Sequence, residues 1–471
     1  MQNYTDHVNL AEFVGAYDVT YNMKRFESGI RMKKLWLLGL SLSFHMAEAH
    51  ALDLVQAYAR AQQTDPNWQA NKLQYEADQL NLGIAKGNLL PAITVSASST
   101  RKSQQNSDAP QSSLEIPSAT TTHQVAVTAR QPLFRWDAWE GFKQVETSVN
   151  LSEVTLKLQQ QQHILTVAES YFDVLRQQSL TQAYLQEEQA LLQQLNMMNA
   201  KLREGLVAKS DVSEAQAQYQ NARANRIATQ VQLLLAQEQL QQLIGPYRDK
   251  LAVIRDDFVY QKPQPAQLTA WEDLARNHNL EIQQARLQQR YAEDQKRVEK
   301  AALYPQIEAV GTYGYNQQQP SSVLSNDGQF DQIGIEMNWN AFTGGRTQRS
   351  IQKAAVNVRK SEAQLDATIR KAQTEVKKAF YQVETDQAKL EARQAAMQSS
   401  QVVSEASQAQ YQEGLKTMVD VLLAQRNAFS TKQDYVNAKY DYVLNVLRLK
   451  AAVGQLNEQA LQQMNVWLVE K

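Results

Sequence analysis

From Arg346 to Val453 the chain runs without proline and with one glycine, Gly414. Before that glycine, Leu365, Ile369, Ala372, Val376, Ala379 and Val383 step by fours and threes, which places them on one face of a helix. After it, Leu422, Phe429, Val436 and Val443 recur at the seven-residue interval of a coiled coil. The pattern predicts two very long helices folded back at Gly414, where a residue lacking Cβ takes the left-handed turn that ends a helix. The arm before the glycine would reach about 100 Å at 1.5 Å per residue, whereas an ordinary helix has ~11 residues.

The same object occurs earlier. Phe142 to Ile244 again lacks proline and holds one glycine, Gly205. One constant offset lays Glu204-Gly205-Leu206 on Glu413-Gly414-Leu415, Asp211-Val212 on Asp420-Val421, and Gly245 on Gly454. It also carries Tyr171 and Val174 onto Phe380 and Val383. A slightly larger offset carries Leu73 and Pro91 onto Leu287 and Pro305. The chain is therefore an internal duplication, and the duplicated unit is a supersecondary block rather than a short motif.

Ahead of each long arm the period changes from helix to strand. Residues 50–88 read as a helix interrupted at Asp65-Pro66, and 268–304 as its counterpart. Leu89-Leu90-Pro91 and Pro305 end these helices. Ile93, Val95 and Ala97 then alternate with Thr94, Ser96 and Ser98; Val125, Val127 and Ala129 resume after a polar loop over 101–123. In the second unit Ile307, Ala309, Gly311, Tyr313 and Tyr315 form one face of a strand. After a polar loop with Asn326-Asp327-Gly328, Ile333, Ile335, Met337 and Trp339 alternate with Gly334, Glu336, Asn338 and Asn340. This is the pattern of a strand with one face to lipid and one to a lumen, aromatic residues marking the interface. The competing reading is an edge hairpin on a soluble helical body.

Four strands cannot close a barrel, and an open edge in lipid leaves backbone groups unpaired. Closure demands several copies; three chains would give a 12-stranded barrel. The arms after each glycine (206–244 and 415–453) are shorter than those before. The helices over 50–88 and 268–304 restore equal height if they stack end to end on the short arms. Leu158, Leu165 and Phe172 form one apolar stripe, and Ile164, Val167, Tyr171 and Val174 another, so this helix has neighbours on both sides, as in a closed wall.

At the amino-terminal end, Lys33-Lys34, an apolar run Leu35 to Phe44, and Ala47-Glu48-Ala49 have the order of a signal peptide. Residues 1–31 are patternless and read as an extension ahead of a true start at Met32 or Met23. The organisation expected is 1–31 extension, 32–49 signal peptide and 50–245 first unit. Then come 246–267 as a linker with Pro246, Pro263 and Pro265, 268–454 as the second unit, and 455–471 as a tail.

Charge and composition narrow the function. The formal charge is −1, with acids and bases interspersed, which gives a nucleic-acid partner no electrostatic support. Cysteine is absent, which excludes disulfides and thiolate chemistry. Mean hydropathy is −0.53, and no apolar run after residue 50 approaches the ~20 residues of a membrane helix. His50, His123, His163 and His278 have no ligand-spaced neighbours, and there is no phosphate loop or serine elbow. Asp256-Asp257 reads as a solvated turn. No enzyme activity, cofactor or metal is expected.

Taken in order, the duplicated Gly-Leu-x-x-x-x-Asp-Val tips, the Leu-Pro or Pro before the first and third strands, Gln131-Pro-Leu-Phe134, and Ala341-Phe-Thr-Gly344-Gly345 resemble the TolC family of outer-membrane channel-tunnel proteins. The resemblance covers nearly everything from Ala51 to Leu461. It implies a mainly α fold with a β-barrel: a homotrimer with a 12-stranded outer-membrane barrel, four strands per chain, on a long α-helical periplasmic barrel with an internal two-fold repeat. The function implied is the exit duct of a tripartite efflux or type I secretion system in the outer membrane of a Gram-negative bacterium. The implied partners are a periplasmic adaptor protein and an inner-membrane RND, ABC or MFS transporter. Nothing in the residues separates drug from protein cargo. The rival is a periplasmic coiled-coil scaffold without channel activity.

The resemblance also places the two glycine turns at the periplasmic mouth. Gly205, Leu206, Val207, Gly414 and Leu415 match positions that meet the adaptor. Ser210, Asp211, Tyr411, Lys416 and Asp420 match polar residues that latch the closed mouth. A Lys–Asp or Tyr–Asp latch near water is worth only ~0–1 kcal/mol, which suits a gate that a partner opens. Lys416 stands where arginine is common, replacing a planar fork with a point charge. Leu423 stands where some members place a second acidic residue. Asp211 and Asp420 equally suit caps of the helices that follow the turns, and Tyr411 a packing position.

Overall fold

The computed structural model describes residues 51–103, 119–255, 258, 260, 262–319 and 327–470. The expected signal peptide and extension, Asp256-Asp257, and most of the first polar loop lie outside them. Helix α1 (Leu54–Thr64) breaks from α2 (Pro66–Gly87) at Asp65, whose carboxylate accepts the Asn67 amide (2.9 Å) while Pro66 opens the second helix. Strands β1 (Ala92–Ser103) and β2 (Ala119–Phe134) follow, then the long α3 (Trp136–Arg203) and α4 (Lys209–Ile244). The second unit repeats this order as α5 (Leu268–His278), α6 (Leu280–Ala301), β4 (Gln306–Gln319), β5 (Gly328–Asn338), α7 (Arg346–Gln412) and α8 (Met418–Ala452), where β3 is the short strand Val253–Ile254 between the units. No helix among the described residues is long and apolar enough to cross a membrane.

The helix expected to run unbroken from Leu268 is in fact two helices. The break falls at Asn279, the residue the duplication aligns with Asp65. Its side-chain oxygen accepts the Ile282 amide (3.0 Å), and its amide nitrogen donates to the Ala452 carbonyl (2.8 Å). One side chain thus caps the start of α6 and satisfies the carboxyl end of α8, seating one helix on the other. The first unit makes the matching junction where Gly245, ending α4, lies against Thr64 at the end of α1.

The helices form a wall of four rows. In its upper half α2 packs on α3, α3 on α6 and α6 on α7; in its lower half the order is α4, α3, α8, α7. Rows one and three are stacked pairs, α2 with α4 and α6 with α8; rows two and four are the single long helices. The antiparallel sheet has the order β1-β2-β4-β5. Each strand adjoins, along the chain, the helix row at its own place: β1 follows α2, β2 precedes α3, β4 follows α6 and β5 precedes α7. Sheet and wall therefore share one order and one pair of edges. In register, Val95 pairs with Val127, Val127 with Tyr313, Ala309 with Ile335 and Ile307 with Met337, so the apolar positions of all four strands lie on one face. That face is uncovered: Ile333 is 92% and Ile93 72% exposed.

The core sits midway along the wall. Ile164, Val167, Tyr171 and Val174 are all buried, so that stripe of α3 is covered; in the other, Phe172 is buried while Leu158 and Leu165 are half-buried. The Tyr171 hydroxyl lies 2.9 Å from the Leu52 carbonyl and 2.8 Å from that of Ala252, which fixes both crossing segments to the helix. The stretches read as linker and tail pair with each other: Val253–Ile254 hydrogen-bonds β6 (Leu468–Val469), reached through α9 (Glu458–Asn465). Phe258 and Trp467 meet at 4.5 Å, and Tyr260 packs edge-on to Tyr442 at 5.2 Å.

His163 is buried beside these crossings, stacked on Trp68 at 5.3 Å with Nε2 3.2 Å from Asp65. Burial outweighs the carboxylate and holds its pKa below the usual value. A base whose folded pKa is depressed binds its proton more readily unfolded, so stability is full above the ordinary pKa near 6.5 and falls as pH drops below it. His163→Gln is expected to flatten the loss of stability between pH 7 and pH 5, read from denaturant midpoints in detergent. An unchanged slope would remove His163 as its source.

Candidate functional site

Each long hairpin closes through the same backbone motif. The Leu206 amide bonds the Lys201 carbonyl (2.9 Å) and the Gly205 amide that of Leu202 (3.0 Å); Leu415 bonds Gln410 (2.8 Å) and Gly414 bonds Tyr411 (3.1 Å). This double bond pattern needs a left-handed residue, supplied by Gly205 at φ 73° and Gly414 at φ 74°. The turns are placed side by side by a small core of Leu191, Leu195, Met198, Met418, Val421 and Leu422. Val207 and Tyr411 pack against that core, whereas Leu206 (71%) and Leu415 (76%) project bare. Of the five expected adaptor positions, the two leucines therefore present free apolar surface, the two glycines shape it, and Val207 is half-buried.

The five expected latch residues are not paired as Lys–Asp or Tyr–Asp within the chain. Lys416 donates to Ser407 (2.9 Å). The Tyr411 hydroxyl accepts from Lys201 (3.2 Å), whose ammonium also lies 4.4 Å from the ring centre. Asp420 takes part in a reciprocal cap: Thr417 Oγ1 accepts the Asp420 amide (3.3 Å) and the carboxylate accepts the Thr417 amide (3.0 Å) and hydroxyl (2.6 Å). These hydrogen bonds, the Thr417 hydroxyl first, hold the Asp420 pKa below the usual carboxylate value, and Lys416 adds to the shift. In the first turn Asp211 accepts the Ala208 amide (3.3 Å) and receives Ser210 Oγ (3.4 Å), but Ala208 has no side-chain oxygen to return the bond. Both aspartates thus serve as caps, one complete and one half-complete.

Lys416, Ser407 and Asp420 nevertheless line one exposed groove, with Leu423 and Arg426. Lys201, Ser407, Thr417 and Arg426 belong to this constellation and were not picked out by motif. Arg426 lies outside the duplicated tip signature, and Lys201 meets Tyr411 only because the two hairpins are adjacent. Among the described residues no group of His, Asp and Glu could hold a metal ion. The arrangement can bind and release charge at a helix end.

Comparison with known proteins places this architecture. Residues 57–246 and 271–455 match the model of the family "Outer membrane efflux protein". The chain is 30% identical to outer membrane protein TolC of Escherichia coli K12, over 92% of this chain and 89% of that protein. It is 24% identical to the alkaline protease secretion protein AprF of Pseudomonas aeruginosa, over 92% and 91%. The crystal structure of the outer membrane protein VceC from Vibrio cholerae superimposes with a TM-score of 0.72 at 19% identity, covering 85% of this chain and 96% of that one. With the shared order of strands and helix rows and the uncovered apolar strand face, these matches show that the chain belongs to the outer membrane efflux protein family and serves as an exit duct of the outer membrane.

Proposed function

We propose that three copies of this chain join edge to edge into one sealed conduit, barrel above and helical wall below. The observation that carries this is the coincidence of edges. β1 and β5 each have one unpaired side, and the rows beneath them, α2/α4 and α7, are the two rows with one neighbour. A row of unpaired backbone groups is not tolerated in lipid, so β5 of one copy must meet β1 of the next, and the helices below are brought together by the same step. The edge rows carry apolar side chains that one chain leaves bare: Leu73, Leu80 and Ile84 on α2, and Ile227, Val231 and Leu234 on α4. A water-soluble scaffold would leave these, and the strand face with Ile333 and Ile335, against solvent.

The mouth of this conduit is formed by the Gly205 and Gly414 turns. A periplasmic adaptor, carrying an inner-membrane RND, ABC or MFS transporter, docks on Leu206 and Leu415. Lys416 and Asp420, with Ser210, Asp211 and Tyr411 nearby, latch neighbouring turns. Support comes from the groove that Lys416 and Asp420 share, the absence of an ion pair between them, and the exposure of the leucines. Weak contacts, repeated by symmetry, can be exchanged when a partner binds.

Lys416→Ala with Asp420→Ala is expected to raise single-channel conductance severalfold in planar bilayers. Thr417→Ala removes the side-chain half of the cap and keeps both charges, so it separates loss of a latch from fraying of α8. Equal conductance in the double variant and the parent would remove the latch assignment; an equal rise with Thr417→Ala would transfer it to the cap.

A further inference from the structure

The apolar face of the sheet does not stop at the last strand residue. Phe134 is in register with Ile307, and Ile307 with Met337, so all three belong to the lipid-facing row. The Trp136 ring stacks on Phe134 at 6.4 Å and meets Tyr304 at 6.2 Å, which carries that row onto the start of α3. Positions 136, 139 and 143 share one side of a helix. Trp139 is 45% exposed, and the Lys143 ammonium lies 5.6 Å from its ring centre and 5.9 Å from that of Trp136. The outer face thus ends, one helical turn beyond two indoles, in a lysine.

Lys143 keeps one acidic contact, 3.5 Å to Glu140, but that carboxylate is buried and is shared with Arg297 at 3.4 Å. Other bases stand at the same level in the other rows. Lys86 closes α2, Lys300 closes α6, and Arg346 and Arg349 open α7; all four are exposed, and none is paired with a carboxylate among the described residues. Every row thus brings a base to the level just below the strands, and acids that stand there are already paired, Asp137 and Glu308 with Arg135 and Glu140 with Lys143 and Arg297.

We propose that this collar, with Trp136, Trp139 and Lys143 as its best-formed point, binds the phosphate of anionic phospholipids in the periplasmic leaflet of the outer membrane. Indole rings settle at the headgroup level and basic side chains beside them are drawn to an anionic leaflet. The ammonium lies over both indole rings, where it can also meet a phosphate, an arrangement a zwitterionic headgroup rewards less because its own amine competes. The collar would fix the height of the barrel in the membrane and prefer one lipid class. The inference rests on the apolar strand face being the lipid face.

The test uses the full-length protein purified in detergent, incubated with phosphatidylglycerol or with phosphatidylethanolamine, with retained lipid counted by native mass spectrometry. The parent protein is expected to retain phosphatidylglycerol in preference. Lys143→Gln is expected to cut that preference about fivefold, and Lys143→Gln with Lys300→Gln further, the size of effect one lysine has near an anionic leaflet. Lys143→Arg is expected to restore it, and Lys389→Gln, lower on α7, to leave it unchanged. Equal retention of the two lipids by the parent, or an unchanged preference in the double variant, overturns the collar. Retention of neither lipid would go further and remove the lipid-facing assignment of the strands themselves.

Discussion

Ile333→Lys is expected to remove the protein from the outer membrane, whereas Gln332→Lys, one residue away, is expected to leave it there. The two side chains start on opposite faces of β5. Ile333 lies with Gly311 on the apolar face, near the middle of the strand; Gln332 lies with Thr312 on the polar face. In an isolated chain both positions are exposed, and a lysine at either would be harmless. In a barrel the first points into hydrocarbon, where a lysine at mid-depth costs about 2–4 kcal/mol per chain, and the second into a watery lumen. Assembly multiplies the penalty by the number of copies, so the loss should be close to complete. Membrane fractionation with heat-dependent gel migration reads the outcome. Equal recovery of both variants would mean that the alternating face does not meet lipid.

Gly454→Ala is expected to be far more damaging than Gly414→Ala, although both glycines end a long helix with the same φ, 73° and 74°. A β-carbon at Gly414 meets nothing within 4 Å, so alanine there costs only the left-handed strain, about 1–2 kcal/mol. A β-carbon at Gly454 falls 2.0 Å from the His278 carbonyl oxygen and 2.7 Å from its carbon. These are backbone atoms at the joint where α8 seats under α6, and they cannot swing aside. Relief requires parting the two helices, which also breaks the Asn279–Ala452 hydrogen bond. A loss above about 4 kcal/mol is expected, in the range reserved for a specific structural failure. Denaturant midpoints of the solubilised proteins, or folded yield where the variant does not survive, measure the difference. Equal losses at the two glycines would show that the joint is looser than its geometry implies.

The turns were legible because their signal is local. Gly205 and Gly414 stand in proline-free helical pattern, and a helix that must reverse there needs a residue tolerant of positive φ. The strands were legible for the same reason: alternation over Ile333 to Trp339 states a face without reference to any other part of the chain. The break at Asn279 was missed because no proline marks it; the only cue was its alignment with Asp65 in the duplication. The latch partners were missed for a different reason. Ser407 and Lys201 acquire their roles from helices that lie beside them in space, and a spacing rule along one helix does not reach across to the next. The linker and tail showed no pattern because Val253–Ile254 and Leu468–Val469 make a ribbon only with each other.

By itself the sequence determined the long helices, the four long strands, where the chain reverses, and that this block occurs twice. These are properties of period and of single residues, and period is carried by neighbours along the chain. Only the tertiary structure decided that the short helices stand on α4 and α8, that the four strands and four helix rows share one order, and that their open edges fall on the same two sides. Those facts depend on which distant surfaces bury each other. Such a choice is settled by packing and by hydrogen bonds such as that from Asn279 to Ala452, which no local pattern encodes.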